Sequence, residues 1–331
     1  MVAARNEEGH IARCIENLLG QSYPHDRYEV IVVDDGSTDG TASIVRNAAK
    51  KNASLILLQL DDVPGSRVGR KPIALHAGIT RARGEVILTT DADCIVPATW
   101  VETMAGFFDA DVGFVAGPVL ESSRETLFSS MEGLEFLGLT TVAAGLIGAG
   151  TPVICNGANL AYRKDIYVRV GGFGDHASSN DDEFLMNRIA MRKAGRIVFA
   201  ADVRALVLTE SGNTPASFLR QRLRWAAKKG HYEQKRIILQ LVGLYLFFAS
   251  FLFTMSLIPV EPGLAIPLSI VFVGKIFVDY FALRAGGRVF ARSLPAAPFL
   301  IAELLHIPYI VVVAALAQVV SLRWKERTLR Q

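Results

Sequence analysis

A short run of strand-forming residues leads directly into two aspartates that are one residue apart, Asp91 and Asp93. The run, Val86 to Thr90, is apolar or β-branched and follows Gly84, which is the pattern of a buried strand. Both carboxylates then lie at the carboxyl end of that strand, where open parallel sheets bind their ligands. Nearby carboxylates repel each other, and a hard divalent cation, Mg²⁺ or Mn²⁺, relieves this repulsion. A surface turn with two solvated aspartates remains the alternative for this tripeptide alone.

A second predicted strand ends in the same way. Residues 28–33 (YEVIVV) precede Asp34 and Asp35, and small residues after them allow a tight turn. On one edge of a parallel sheet the two acidic strand ends face a shared crevice. Lys71, at the predicted start of a helix, can bring positive charge to a phosphate in that crevice.

Strands and helices alternate along this half of the chain. The alternation predicts an α/β fold, with a mostly parallel sheet and helices on both faces. The same patterns predict strands at residues 2–4, 55–60, 112–115, 196–200 and 204–208, and helices at residues 11–19, 41–50, 70–83 and 97–108. The chain opens on what reads as the end of a strand, so we expect that its first strand is truncated.

Two later segments are predicted to be helical. Residues 122–150 carry apolar side chains at helical spacing, and a core helix is favoured there over a helix on a membrane surface or one covering the site. Asp181 and Asp182 stand at the start of a helix that ends near Gly195. Acids at a helix start favour its positive end, so these two aspartates alone do not indicate a site.

Three long apolar stretches follow residue 236, at residues 237–260, 263–283 and 299–319. Each is long enough to cross a bilayer, and three in succession favour membrane spans over buried helices of a soluble domain. Lys275 and Asp279, four residues apart in the second stretch, can pair on one helix face. Four parts result: an α/β domain at 1–214, a basic interfacial helix at 215–236, a transmembrane region at 237–322 and a basic tail at 323–331.

Charge indicates the partner and the orientation. The net charge of the chain is only +3, which gives no argument for nucleic acid. The basic helix before residue 236 directly precedes an apolar stretch, so it fits the anionic surface of a membrane better. By the positive-inside rule we expect a multi-pass protein of the cell membrane whose first domain, residues 1–214, is cytoplasmic. Three full spans would leave the basic tail outside, so a re-entrant or interfacial stretch stays an alternative. The three cysteines lack CxxC spacing and indicate reduced thiols.

Four motifs occur in order along the chain, and together they resemble a known family. They are Asp34-Asp35-Gly36-Ser37, Asp91-Ala92-Asp93, Asp181-Asp182 and Gln221-Arg222-Leu223-Arg224-Trp225. This set resembles the processive-type membrane glycosyltransferases of family 2, the group that contains cellulose, chitin and hyaluronan synthases. The resemblance covers residues 2 to about 236, with apolar stretches following as in those enzymes.

The resemblance implies a GT-A fold and an inverting transfer from a nucleotide sugar, commonly a UDP-sugar, to a membrane-associated lipid or glycan acceptor. It implies nucleoside contacts from Asp34 or Asp35, with Glu7 nearby. It further implies that Asp91 contacts the donor, that Asp93 ligates Mg²⁺ or Mn²⁺ on the diphosphate with Asp91 beside it, and that Asp182 is the general base. The sequence Asn180-Asp181-Asp182 departs from the usual Glu before that aspartate, so Asp181 stays a candidate. Gln221, Arg224 and Trp225 are implied to line the acceptor and pyrophosphate site.

Three other functions fit part of the same pattern. A polyprenyl-phosphate glycosyltransferase shares the fold and the membrane but usually lacks the QxxRW motif. A nucleotidyltransferase can use the same acids but does not require residues 221–225. A non-catalytic membrane subunit that keeps the fold is disfavoured by the intact acids and Arg224. The small membrane portion favours one or few transfers over the export of a long polymer.

Overall fold

The computed structural model describes residues 1–62, 71–122, 126–174, 181–210, 214–226 and 235–319, together with residues 323–324 and 327–328. The chain divides into two compact units. The first comprises Met1–Ser122, Leu139–Glu210 and Val289–Ala291. The second comprises Ser123–Gly138, Ser211–Arg288 and Arg292–Gln331.

A mostly parallel sheet forms the centre of the first unit. The strands of this unit are β1 (Val2–Ala4), β2 (Val30–Asp34), β3 (Leu55–Gln59), β4 (Val86–Asp91), β5 (Val112–Ala116), β6 (Val119–Glu121), β7 (Leu160–Arg163), β8 (Arg196–Phe199) and β9 (Val207–Thr209). Seven of them form one sheet in the order β3-β2-β1-β4-β7-β5-β8, and β6 pairs with β9 in a separate two-stranded sheet. Strand β7 runs antiparallel to β4 and to β5.

Helices pack against this sheet because their apolar side chains recur at helical spacing. The helices of this unit are α1 (Ile11–Leu19), α2 (Thr41–Ala49), α3 (Lys71–Arg81), α4 (Trp100–Ala105), α5 (Leu127–Gly148, from Leu139 in this unit), α6 (Lys164–Arg169) and α7 (Asp181–Met191). All five residues of β2 are buried, as a central strand covered on both faces requires. The core of this unit gathers apolar side chains from both kinds of element: Ile31, Val33, Leu75, Ile79, Phe114, Tyr162, Leu185 and Ile189.

The predicted α/β fold is confirmed, and several details differ from the prediction. Pairing between distant segments, which periodicity does not report, makes β7 antiparallel and adds the strand β6. The strand predicted at residues 204–208 begins only at Val207, because the Asp202 side chain accepts a hydrogen bond from the Arg204 amide and caps a short 3₁₀ turn. Helix α4 is shorter than the predicted 97–108. Residue 70, where a helix start was predicted, lies outside the described residues.

The second unit consists mainly of helices. Besides the first part of α5 it contains α8 (Pro215–Ala226), α9 (Lys235–Leu257), α10 (Ala265–Val289, up to Arg288 in this unit) and α11 (Ala296–Val319). The predicted continuation of α8 to residue 236 lies partly outside the described residues. In the basic tail, β10 (Arg323–Trp324) pairs antiparallel with β11 (Arg327–Thr328).

Within the part of the chain that the structure describes, four helices are long and apolar enough to cross a membrane. They cover Leu127–Gly148, Lys235–Leu257, Pro262–Val289 and Ala296–Val319. Three of them correspond to the apolar stretches predicted from the sequence, and the fourth is α5, for which a core helix was predicted. The criterion is length and composition alone, and α5 has the largest share of its apolar window buried, 39%.

A charged group links two of these helices. The Lys275 ammonium lies 2.7 Å from Asp279, which confirms the predicted pair on one face of α10. It also lies 2.5 Å from the carboxylate of Glu303 on α11. An apolar helix that carries such a charge needs partners of opposite sign, and here both partners lie within the helical unit.

Candidate active site

Three strand ends bring the predicted acids to one edge of the sheet. Strand β1 lies between β2 and β4 and runs parallel to both. In this register Ala4 pairs with Asp34, and Ala3 pairs with Asp91. The two acidic strand ends therefore flank β1 on the same edge of the sheet, as the sequence predicted.

The turn after β2 is held by the turn after β1. Asn6 adopts a positive φ of 52°, and its side-chain oxygen accepts a hydrogen bond from the Thr38 amide at 2.8 Å. The Asn6 amide donates to the Ser37 hydroxyl at 3.0 Å. The Ser37 amide in turn donates to the Asp34 carboxylate at 3.3 Å. Asp34 and Asp35 are both buried, and the hydrogen bonds above hold the turn that follows them.

Glu7 belongs to the same loop and is held at two points. Its amide donates to the Thr41 hydroxyl at 2.8 Å. Its carboxylate lies 3.3 Å from Nδ1 of His10, and Nε2 of His10 lies 3.3 Å from the carboxylate of Glu210. An ion pair with Arg13, together with His10, holds the pKa of Glu210 below its usual value, although partial burial opposes this shift. The Glu7 carboxylate contributes negative charge to the region around Asp93.

Asp91 and Asp93 have different surroundings. The Lys71 ammonium lies 2.5 Å from Oδ1 of Asp91, so this carboxylate already has a cationic neighbour. Burial raises the pKa of Asp93, and the charges of Asp91 and Glu7 raise it further. A carboxylate that is buried among other acids is stabilised by added positive charge.

A divalent cation fits this cluster. The ligand atoms of Asp91, Asp93 and Cys94 all lie within 4.8 Å of one another. Burial raises the pKa of the Cys94 thiol well above its usual value, and the charges of Asp91 and Asp93 act in the same direction. The thiol therefore stays protonated near neutral pH, and its sulfur lies 3.6 Å from the Asp93 carboxylate as a weak donor. The two carboxylates are the hard oxygen ligands that Mg²⁺ and Mn²⁺ prefer.

Helix α7 brings a further carboxylate to this edge. The carboxylate of Asp182 lies against Gly157, so closely that a Cβ atom at Gly157 would overlap it. Three residues after Gly157, β7 begins at Leu160, which pairs with Thr89 near the end of β4. Asp182 thus lies at the edge of the sheet where Asp91 and Asp93 lie. The side chain of Asp181 is outside the described part of the structure.

The predicted motif residues of the second unit lie on α8. Gln221, Arg224 and Trp225 are half-buried. The Trp225 ring meets the Phe136 ring edge-on, with centroids 5.7 Å apart. The Gln221 side-chain oxygen accepts a hydrogen bond from the Arg222 guanidinium at 2.5 Å.

Four residues around the predicted acids and the α8 motif were not predicted from the sequence. Cys94 and Gly157 contact predicted site residues, and adjacency to the acidic motif was the available signal for Cys94. Arg222 is 3% exposed and forms an ion pair with Glu135 on α5. Helical spacing from Phe218 to Arg222 to Trp225 could have indicated Arg222, whereas no sequence signal pairs it with Glu135.

Residues 1–171, about half of the chain, match the family described as Glycosyl transferase family 2. The chain therefore belongs to the family 2 glycosyltransferases. Residues 214–330 match a second family, described as a protein of unknown function (DUF3307).

Curated relatives carry the same class of function in their names. The chain is 29% identical over 215 residues to glycosyltransferase AglE of Haloferax volcanii, covering 61% of this chain and 64% of the relative. It is 28% identical over 278 residues to the probable glycosyltransferase YdaM of Bacillus subtilis, covering 78% of this chain and 63% of the relative. The chain thus spans less than two thirds of the length of these two relatives.

Solved structures agree on the fold. The mannosyltransferase PcManGT from Pyrobaculum calidifontis, in complex with GDP-Man and Mn²⁺, is 24% identical with a TM-score of 0.54, and the match covers 96% of this chain and 86% of that one. S. aureus TarS 1-349 in complex with UDP-GlcNAc is 17% identical with a TM-score of 0.50, covering 100% of this chain and 95% of that one. This likeness supports the GT-A fold of the first unit.

Proposed function

We propose that this glycosyltransferase moves a sugar from a nucleotide sugar, a UDP-sugar in the first instance, to a lipid or glycan acceptor at a membrane, with inversion at the anomeric carbon. The observation that carries the proposal is the position of Asp182 at the sheet edge that holds Asp91 and Asp93. An inverting transfer needs a base for the acceptor hydroxyl and positive charge for the departing diphosphate, and carboxylates suited to act as a base and as metal ligands lie at this edge.

The donor is bound along the acidic edge in this proposal. The buried side chains of Asp34 and Asp35 contact the nucleoside, and Glu7 lies nearby. Asp91 contacts the donor sugar, and Lys71, which pairs with Asp91, adds positive charge for the diphosphate. Charge-assisted contacts of this kind hold the donor in one orientation.

Asp93, with Asp91 beside it, would hold Mg²⁺ or Mn²⁺. When bound, such a cation stabilises the negative charge that develops on the departing diphosphate. The raised pKa of Asp93 supports this role, because a buried carboxylate near other acids favours a positive neighbour.

Asp182 acts as the general base, with Asp181 as the alternative for this role. The carboxylate accepts the proton of the acceptor hydroxyl while its oxygen attacks the anomeric carbon and the bond to the diphosphate breaks. Helix α7 begins with these two aspartates, and its positive end stabilises the ionised carboxylate before the reaction. Gln221, Arg224 and Trp225 contact the acceptor and the pyrophosphate, where Arg224 offers two parallel donors to phosphate oxygens.

The four apolar helices support association with a membrane, and the catalytic domain is proposed to face the cytoplasm. Among the relatives, beta-monoglucosyldiacylglycerol synthase of Nostoc, 38% identical over 96 residues that cover 29% of this chain and 20% of the relative, has a lipid product by its name. Poly-beta-1,6-N-acetyl-D-glucosamine synthase of Staphylococcus aureus, 26% identical over 234 residues that cover 70% of this chain and 54% of the relative, has a glycan product by its name. Both kinds of acceptor belong in the test.

The test is a panel of UDP-sugars and GDP-mannose with the purified full chain in bilayer nanodiscs, lipid and short-glycan acceptors, and mass spectrometry of the products. We expect Asp182→Asn to lower transfer by at least about a hundredfold, because the amide cannot take the acceptor proton, while donor binding is retained. Asp165→Asn is the matched control, since Asp165 is exposed on α6 after the opposite end of β7. Wild-type turnover in Asp182→Asn would reject the assignment.

A further inference from the structure

The motif on α8 contains two arginines, and one of them is buried in an ion pair. Arg222 is 3% exposed, and its Nε and Nη2 atoms donate to Oε2 of Glu135 at 2.9 and 2.8 Å. The other carboxylate oxygen of Glu135 accepts a hydrogen bond from the Tyr309 hydroxyl at 2.8 Å. The remaining guanidinium nitrogen, Nη1, donates to Gln221 at 2.5 Å. Both oxygens of Glu135 are thereby used.

Three aromatic rings enclose the same guanidinium. Its central carbon lies 4.3 Å from the ring centroid of Trp225, 4.5 Å from that of Phe218 and 5.1 Å from that of Phe136. Phe218 and Trp225 stand about one turn before and after Arg222 on α8, so one face of the helix carries all three. We call these residues the Arg222 cluster: Glu135, Phe136, Phe218, Arg222, Trp225 and Tyr309.

A buried guanidinium tolerates very few arrangements. Removing it from water costs several kcal/mol unless its donors are satisfied, so it must keep its carboxylate partner. The planar fork of arginine and the fixed rings around it allow one orientation of the side chain. The rotation of α8 about its own axis is set by this requirement.

The rotation of α8 decides where Arg224 points. Two residues along an α-helix correspond to about 200°, so Arg224 leaves the helix on the side roughly opposite to Arg222. Leu223 packs against Val313 and Ala317, so α8 also has apolar contacts that do not depend on the ion pair. These apolar contacts keep α8 in place when a single polar partner is changed conservatively.

We propose that Arg222 is a positioning residue for Arg224: the Arg222 cluster holds α8 at one rotation and thereby fixes the direction in which the Arg224 guanidinium leaves the helix. The inference rests on the proposed function, in which Arg224 contacts the pyrophosphate. It assigns different roles to the two arginines of one motif, since the buried Arg222 touches the protein and Arg224 touches the substrate.

The test uses the full chain in nanodiscs with three substitutions, Arg222→Lys, Tyr309→Phe and Arg224→Ala, alone and combined. Lysine keeps the charge at position 222 but loses the fork, so we expect kcat to fall about tenfold or more. Tyr309→Phe leaves the ion pair and should lower kcat less, by about threefold. In the Arg224→Ala background, Arg222→Lys should add less than about a twofold loss, because its effect passes through Arg224.

Rates are compared per amount of folded protein, judged by a monodisperse chromatography peak and the thermal midpoint. Arg220→Lys is the matched control, since Arg220 is exposed on the same helix and should keep wild-type kcat. Wild-type kcat in the folded Arg222→Lys and Tyr309→Phe variants overturns the inference, as do effects of Arg222→Lys and Arg224→Ala that multiply in full. Should little Arg222→Lys protein fold, wild-type kcat in Tyr309→Phe alone overturns it. Wild-type turnover in Arg224→Ala instead overturns the proposed role of Arg224.

Discussion

Asp91 and Asp93 differ in their partners although only one residue separates them. Asp91 forms an ion pair with Lys71, and its side chain is 37% exposed. Asp93 is half-buried, and burial raises its pKa, as do the charges of Asp91 and Glu7. In the proposed function this difference separates two roles: Asp91, which has a cationic neighbour, contacts the donor, and Asp93, which lies among other acids, ligates the metal.

A chelator tests the proposed role of Asp93 as a metal ligand. We expect a chelator to abolish transfer by the purified full chain, and Mn²⁺ or Mg²⁺ to restore it, because the departing diphosphate needs the positive charge. Asp93→Asn should raise the Mn²⁺ concentration for half-maximal activity by about a hundredfold, since one of two carboxylate ligands is lost. The measurement is nucleotide release during a Mn²⁺ titration. Asp165→Asn should leave the titration unchanged, and full activity in chelator would contradict the expected metal dependence.

Local sequence patterns predicted the strands and helices that are determined by residues close together in the chain. Strands β1, β2 and β4 are short apolar runs bounded by turn residues, so periodicity and turn chemistry sufficed to find them and their acidic ends. The antiparallel direction of β7 and the β6–β9 pair depend on contacts between residues tens of positions apart. Local patterns contain no information on such pairing.

The candidate site divides in the same way. The position of the acids that end β2 and β4 was predictable, because parallel strands have their carboxyl ends at the same edge of the sheet. The contact of Asp182 with Gly157 was not, because it depends on where α7 packs. In the QxxRW motif the resemblance directed attention to Arg224, whereas burial singles out Arg222, whose partner Glu135 stands 87 residues earlier in the chain.

The ion pair between α10 and α11 gives a prediction about stability. The side chains of Lys275 and Glu303 are 11% and 7% exposed, so neither charge can turn to water when its partner is removed. Removing one partner of a buried pair costs about 3–5 kcal/mol in soluble proteins, and polar contacts between membrane helices are worth about 1 kcal/mol. We expect Lys275→Met to lower the free energy of unfolding by about 1–3 kcal/mol, measured as a lower thermal midpoint in nanodiscs.

The double variant Lys275→Met/Glu303→Gln separates the lost pair from the stranded charge. Neutralising Glu303 removes a buried carboxylate that has lost its closest cation, so the thermal midpoint should rise above that of Lys275→Met alone. A double variant that is less stable than the single one would show that Glu303 has other stabilising partners in the helical unit.

Charged residues at the two ends of α10 predict the orientation of the chain in a membrane. Arg284, Arg288 and Arg292 stand at or just after its carboxyl end, and Glu261 stands before its amino end. By the positive-inside rule we expect the connection from α10 to α11 to face the cytoplasm and the connection from α9 to α10 to face the opposite side. The 25 residues of α10 rise about 37 Å, which is enough to cross the hydrocarbon core.

Single cysteines on the two connections test this topology, in a Cys155→Ser background because Cys14 and Cys94 are buried. A membrane-impermeant maleimide on intact cells should label Glu261→Cys, and should label Ser293→Cys only after the membrane is opened. The unchanged background is the control for reaction at Cys14 and Cys94. Labelling of Ser293→Cys on intact cells would reverse the proposed orientation. If both positions are protected until the membrane is opened, α10 does not cross the membrane. That result would favour the re-entrant or interfacial stretch, which is the alternative that keeps the basic tail inside.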